Sequence, residues 1–355
     1  MVDMKPNLFI AGAARSGTTS LWQYLKVHPS VFMPEDELMK EPTFFSRNCS
    51  LKRDLNEYLA LFRNAGGNHR WIGEASVAYL TDPESAARIH AFNPDAKIII
   101  LLRNPARRAF SLYRWMVQEG YEYASTFDEA LKLEEQRVFE KKPSWYKPNY
   151  YWGYLYFRSG LYSDQVERYL ELFKSNVLIL TFEDFIKDTR ASYLQVCSFL
   201  GIPPAGVPFE IHNSALNVYS SKLMFVLRKL NQHIISENKK GSALHDISKG
   251  LKSECRSITD RLREVTRLTL PERIRGKLIL RKVMRALESC ADPYPYKDIQ
   301  TKEQRDHLLR FGLKAGHAEK LSGALCAELH GKYAPDIERL SRMTRMDFSG
   351  WSRQS

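Results

Sequence analysis

Leu8-Phe9-Ile10-Ala11-Gly12-Ala13-Ala14-Arg15-Ser16-Gly17-Thr18-Thr19-Ser20-Leu21 joins an apolar run to a helical pattern through a turn bounded by glycines. The run reads as a buried strand, and the segment after Gly17 as a helix start that puts Leu21, Trp22 and Leu25 on one face. Gly12, Gly17, Thr18 and Thr19 match the spacing G-x-x-x-x-G-K-[ST], except that Thr18 replaces the lysine that reaches the β and γ phosphates of a triphosphate. What remains is a cradle of backbone N–H groups at a helix N-terminus, flanked by two hydroxyls, those of Thr18 and Thr19, and by the forked guanidinium of Arg15. That set suits a bound phosphate and argues against ordinary use of ATP.

Outward from this stretch, apolar runs at Leu8–Ala11, Trp71–Glu74, Lys97–Leu102 and Val177–Thr181 alternate with helical patterns. The helices are expected at Thr18–Val27, Pro83–Phe92, Ala106–Glu119, Phe127–Lys141, Ser163–Phe173 and Thr189–Leu200. Alternation of this kind predicts an α/β fold: a three-layer, P-loop-like arrangement with a central parallel sheet flanked by helices. Strand signals stop near Ser220. Residues 1–219 therefore read as the α/β core and 220–330 as a basic, mostly helical insertion or appendage. Residues 331–355 read as a C-terminal helix near Pro335–Met343 with the tail Asp347-Phe348-Ser349-Gly350-Trp351 returning to the core through its aromatics.

A chain of 355 residues can bury a sizeable core. Its net charge of +12 speaks for an anionic partner without choosing among nucleic acid, acidic glycan, anionic lipid and nucleotide, and the basic late helices read equally as a solvated face. Five cysteines, odd in number and never spaced C-x-x-C, suggest neither a disulfide framework nor a zinc site. The nine histidines show no H-x-x-x-H pattern, so no metal is implied. No run of about 18 apolar residues and no basic, apolar leader is present. The expectation is a soluble cytoplasmic protein, with peripheral contact to a membrane as the most its charge would support.

Open parallel sheets bind ligands outside the carboxyl ends of their strands, which directs attention to two further segments. After Lys97–Leu102 comes Arg103-Asn104-Pro105, where Asn104 caps a helix and Pro105 opens it. Arg103 then lies at the strand end, with Ser111 about two turns into the helix, off its apolar stripe. This pair suits a second phosphate; it equally suits a cation paired with a carboxylate and a small packed residue. In Lys40-Glu41-Pro42-Thr43-Phe44-Phe45-Ser46, Pro42 keeps Glu41 out of a helix. A carboxylate beside aromatic surface can serve as a base, or Glu41 can form a surface ion pair. Tyr146, Tyr150, Tyr151, Trp152 and Tyr154 suit stacking against sugar rings and also capping the core.

Together these segments, in order from Leu8 to about Gly201, resemble the sulfotransferases that use 3′-phosphoadenosine 5′-phosphosulfate (PAPS). Ala13–Thr19 resembles the 5′-phosphosulfate loop of that family, and Leu102-Arg103-Asn104-Pro105 with Ser111 and Tyr113 its 3′-phosphate site. Lys40–Phe45 is similar to the segment carrying the catalytic glutamate in the glycan-modifying branch, and Gly73–Tyr79 to a cleft segment. Gly160–Ser163, Phe199–Pro203 and Asp347–Trp351 are similar to later family segments, the last to the endings of bacterial members. The resemblance implies PAPS as donor, held by Arg15, Ser16, Gly17, Thr18, Thr19, Ser20, Arg103 and Ser111. It implies catalytic roles for Glu41 as base and Arg15 at the departing phosphate, with Glu74 the second choice of base. The acceptor it implies is a hydroxyl or amine of a glycan or glycolipid, with no nucleic acid partner. Departures stand at Arg15, where the heparan branch has lysine, and at Ala75, where its 3-O-type members carry another; Lys297, Lys302 and Arg305 are weak substitutes for that branch's adenosine-closing loop. A nucleotide kinase, opposed by Thr18, and an acidic-polymer-binding module built on the basic region are the competing readings.

Overall fold

The computed structural model describes residues 5–34, 40–47, 54–118, 122, 124, 126–139, 152–209 and 320–351. Its strands are β1 (Leu8–Gly12), β2 (Val31–Phe32), β3 (Trp71–Glu74), β4 (Lys97–Leu102) and β5 (Val177–Thr181). They form one parallel sheet in the order β2-β3-β1-β4-β5. Around it lie α1 (Thr18–Lys26), α2 (Leu55–Leu59), α3 (Ala78–Thr81), α4 (Ser85–Phe92), α5 (Pro105–Gln118), α6 (Phe127–Phe139), α7 (Tyr162–Phe173), α8 (Phe182–Lys187), α9 (Thr189–Leu200) and α10 (Gly323–Thr344).

Side chains of the two central strands alternate between layers with the period of two that a strand imposes. Phe9, Ala11, Ile98, Ile100 and Leu102 join one core with residues of α4 and α7. Leu8, Ile10, Ile99 and Leu101 face the other, against Leu21, Trp22 and Leu25 of α1 and Val196 and Leu200 of α9. Burial on both faces is why β1 and β4 read as unbroken apolar runs. Gly73 lets β3 lie beside β1, since a Cβ there would stand 2.8 Å from the Leu8 carbonyl oxygen.

The four strands read from the sequence are all present, and β2, two residues long, is too short to leave a pattern. The last helix departs from expectation. It begins at Gly323, capped by Ser322, whose Oγ accepts the Leu325 N–H at 3.2 Å, and it carries Pro335 in its interior. A mid-helix proline costs about 3 kcal/mol. Cys326, Leu329, Tyr333 and Leu340 form a buried stripe on both sides of Pro335, and their packing on the core offsets that cost. The boundary at 330/331 therefore falls inside one continuous helix. Of the stretch assigned to an insertion or appendage, 220–319 lies outside the described residues, as do Lys297, Lys302, Arg305, Tyr146, Tyr150 and Tyr151.

Candidate active site

The chain runs from β1 toward β2 on one side of the sheet and from β4 to β5 on the other, so the crevice between the carboxyl ends of β1 and β4 is the topological switch point. The glycine turn occupies it. Gly17 has φ 87° at the N-cap of α1, and a Cβ there would stand 3.3 Å from the Phe182 ring. No side-chain hydrogen bond caps α1 and no acidic residue lies in its first turn, so no charge of the helix itself offsets its N-terminal dipole at the crevice. Arg15 holds a left-handed φ of 67°, a conformation a non-glycine residue rarely adopts.

The strand-end residues of β4 meet this turn directly. Arg103 Nη1 donates to the Arg15 carbonyl at 2.9 Å, and Arg15 Nε donates to Ser111 Oγ at 3.3 Å. Three residues that are 88 and 96 positions apart in sequence thus form one cationic cluster. The Arg103 guanidinium also lies over the Phe182 ring, 4.4 Å from its centroid. Burial pulls Arg103 below the usual guanidinium value, and Glu183 opposes that shift; arginine stays cationic in proteins regardless. Asn104 caps α5 as expected, its Oδ1 accepting the Arg107 N–H at 3.1 Å.

Two buried donors at this cluster, Ser16 Oγ and Arg103 Nε, find no hydrogen-bond partner among the described residues. Buried polar groups are nearly always paired, so each exception asks for an explanation. Donors without acceptors beside two guanidinium groups and an uncapped helix N-terminus fit a ligand rich in anionic oxygens.

The Lys40–Ser46 segment docks on the end of β3, the strand beside β1. Ala75 N–H donates to the Lys40 carbonyl at 3.1 Å, and Thr43 N–H to Ser76 Oγ at 3.0 Å. Phe44 stacks on Tyr58 at 4.4 Å, and Phe45 meets Phe9 edge-on at 5.7 Å. This aromatic anchorage holds Glu41 at the same edge of the sheet as the glycine turn. Its carboxylate accepts from Lys40 Nζ at 3.0 Å, with the lysine side chain 8% exposed and the glutamate 34% exposed.

Glu74, the last residue of β3, lies deeper. It has no exposed surface and accepts from Tyr58 at 2.8 Å, Tyr79 at 2.7 Å and the Ser76 hydroxyl. Burial pushes its carboxyl up to about 7, with the charge of Glu41 adding to the rise and the three hydroxyls holding it down.

Of the aromatic group proposed to meet sugars, Trp152 and Tyr154 are buried in the core shared by α5 and α10, which is the core-capping alternative. Sequence reasoning passed over the end of β5, where Phe182 and Glu183 complete the crevice. The strand-end rule that singles out β1 and β4 points to them equally, since Val177–Thr181 reads as a strand. Tyr162, within the Gly160–Ser163 segment noted for its resemblance but given no role there, donates its hydroxyl to the Arg103 carbonyl at 2.9 Å.

This is a parallel α/β fold with a cationic cluster at its switch point and a carboxylate on the rim of the crevice. The match to the sulfotransferase domain family takes in residues 5–257, and the chain belongs to that family. It is 30% identical over 199 residues, 56% of this chain, to human "Heparan sulfate glucosamine 3-O-sulfotransferase 6". It is 28% identical over 211 residues, 57% of this chain, to mouse "Bifunctional heparan sulfate N-deacetylase/N-sulfotransferase 3". These alignments cover 52% and 23% of the relatives' own lengths, so the chain spans about half or less of each. A solved sulfotransferase from Alicyclobacillus acidocaldarius superposes with a TM-score of 0.61 at 26% identity, covering 98% of this chain and 99% of that one.

Proposed function

We propose that this protein transfers the sulfuryl group of PAPS to a hydroxyl or amine of a carbohydrate acceptor, a glycan or glycolipid, with Glu41 as general base. The observation that carries the reading is the Arg15–Ser111–Arg103 cluster across the β1/β4 crevice, with two buried donors left unpaired beside it. Bound there, the donor nucleotide supplies a transferable sulfuryl group and two phosphates.

Arg15 and the N–H groups of Gly17, Thr18 and Thr19, with the Ser16 and Ser20 hydroxyls, hold the 5′ end and offset charge as the phosphate departs. Arg103 and Ser111 hold the 3′-phosphate, which separates this nucleotide from ATP. Glu41 takes the acceptor proton while the acceptor oxygen or nitrogen forms its bond to sulfur and the sulfur–oxygen bond to the 5′-phosphate breaks. Lys40 holds the Glu41 carboxylate in place. Glu74, sealed under three hydroxyls, fits a positioning role beneath the segment better than that of the base. The family and the names of the heparan sulfate relatives support a carbohydrate acceptor.

The test is calorimetry with 3′,5′-bisphosphoadenosine, followed by incubation with sulfur-labelled PAPS and fractionated glycans, glycolipids and small phenols. Binding of the bisphosphate and label in a glycan or glycolipid fraction are expected. No heat of binding sinks the donor assignment, and label only in phenols sinks the acceptor class.

A further inference from the structure

The tail after α10 has no part in the roles above, yet its last described residue bonds both to Asn104, the neighbour of Arg103, and to Glu183 beyond β5. Trp351 Nε1 donates to Glu183 Oε2 at 3.0 Å, and the Trp351 carbonyl accepts from Asn104 Nδ2 at 2.6 Å. Glu183 Oε1 in turn accepts the Asn104 backbone N–H at 3.1 Å. His330 of α10 adds a contact from its Nε2 to the Asn104 side chain at 3.1 Å. Asn104 follows Arg103 directly, so this network grips the peptide on the carboxyl side of the arginine.

The same tail reaches the other handle on that arginine. Tyr162, whose hydroxyl holds the Arg103 carbonyl, has its ring 6.0 Å from that of Trp351, and Phe348 packs on Trp351 at 4.5 Å. Phe182, the ring beneath the guanidinium, is the residue before Glu183. Asn104, Tyr162 and Phe182, three of the described neighbours of Arg103, are therefore Trp351's partner, in the aromatic group packed on it, or next to its partner Glu183.

We propose that Trp351 is a positioning residue for donor selection: through Glu183 and Asn104 the C-terminal tail straps the β4 loop so that Arg103 points at the nucleotide's 3′-phosphate. The inference rests on the donor reading above. Losing the strap leaves the cationic cluster in being but lets Arg103 turn, which weakens recognition of the 3′-phosphate and spares the 5′ end held by the glycine turn.

Trp351→Phe keeps a buried ring and removes the indole N–H; Trp351→Ala removes both. Affinities for 3′,5′-bisphosphoadenosine and AMP are measured by calorimetry on the full chain, with denaturation midpoints alongside. Trp351→Phe is expected to lower the preference for the bisphosphate up to about tenfold with AMP affinity unchanged, alongside a modest fall in midpoint from the lost bond to Glu183. The Michaelis constant should rise for PAPS and not for the acceptor. An unchanged preference in both variants, or equal loss of both nucleotides, overturns the proposal. A wild-type protein that does not prefer the bisphosphate instead overturns the donor reading itself, and this inference with it.

Discussion

Glu74→Gln is the substitution whose outcome the structure sets most sharply. The wild-type carboxyl is wholly buried and is pushed up from 4.5 to about 7 by loss of hydration, reinforced by Glu41. A carboxyl that binds its proton more tightly folded than unfolded stabilises the fold at low pH and loses that contribution as pH rises through the folded value. Integrating the linkage between 4.5 and 7 gives a loss of about 2.5 kcal/mol from about pH 5 to about pH 8. Glutamine keeps an oxygen for Tyr58 and Tyr79, can turn its amide toward Ser76, and does not titrate. Chemical denaturation of both proteins across that pH range is the assay. The stability of wild type relative to Glu74→Gln should fall by about this amount with rising pH and level off above pH 7 to 8, where the carboxylate is formed. Parallel pH profiles would refute the reasoning, because a carboxyl that titrates alike in both states contributes no slope.

Glu41→Gln keeps an oxygen for the Lys40 ammonium, so nucleotide affinity should hold within about twofold while turnover drops by roughly 10²–10⁴; calorimetry beside a label-transfer assay separates the two, and undiminished turnover removes Glu41 from the chemistry. Arg103→Ala should weaken 3′,5′-bisphosphoadenosine by about 1.5–3 kcal/mol and AMP by much less, a difference read from paired titrations. Arg15→Gly should change stability by less than about 1 kcal/mol, since relief of the left-handed φ is set against one lost hydrogen bond and a more flexible unfolded chain. Its nucleotide affinity should nonetheless fall at least about tenfold; a large loss of stability would make Arg15 a structural residue.

The sheet and the glycine turn were legible because each leaves a local trace. Strands buried on both faces must be continuously apolar, as Ile98–Leu102 are, and a left-handed turn under a packed ring needs glycine at Gly17. The Arg103 and Ser111 placement was legible for the same reason, through the Asn104 cap and Pro105 start. The joining of these pieces was not. Contacts such as Arg103 to Arg15 depend on strand order, and Asn104 to Trp351 or Asp336 capping α7 at Tyr162 (2.7 Å) on where the last helix docks; a single chain carries no local mark of either. The start of α10 was misplaced because Pro335 is a strong local signal overruled by a buried stripe whose partners lie far off in sequence.

Several of the physical costs in this fold lie at one edge of the sheet. Left-handed φ at Arg15 and Thr43, a left-handed glycine at Gly17, unpaired buried donors at Ser16 and Arg103, and a buried carboxyl at Glu74 all lie at or just past the carboxyl ends of β1, β3 and β4, or on the segment docked there. At the opposite edge Asn7 exchanges hydrogen bonds with the Ile72 backbone at 2.8 Å and Lys97 N–H donates to the Asn7 carbonyl at 2.8 Å, although Lys174, just before β5, also holds a left-handed φ of 49°. Strain and unsatisfied groups persist only where surrounding structure over-determines them, and the inference runs from such outliers to function. A doubly anionic nucleotide would satisfy the two donors and offset the paired guanidinium charges, so the unliganded site is less stable than the liganded one by construction. Binding of the bisphosphate should therefore raise the denaturation midpoint of wild type by more than that of Arg15→Gly or Arg103→Ala at equal ligand concentration.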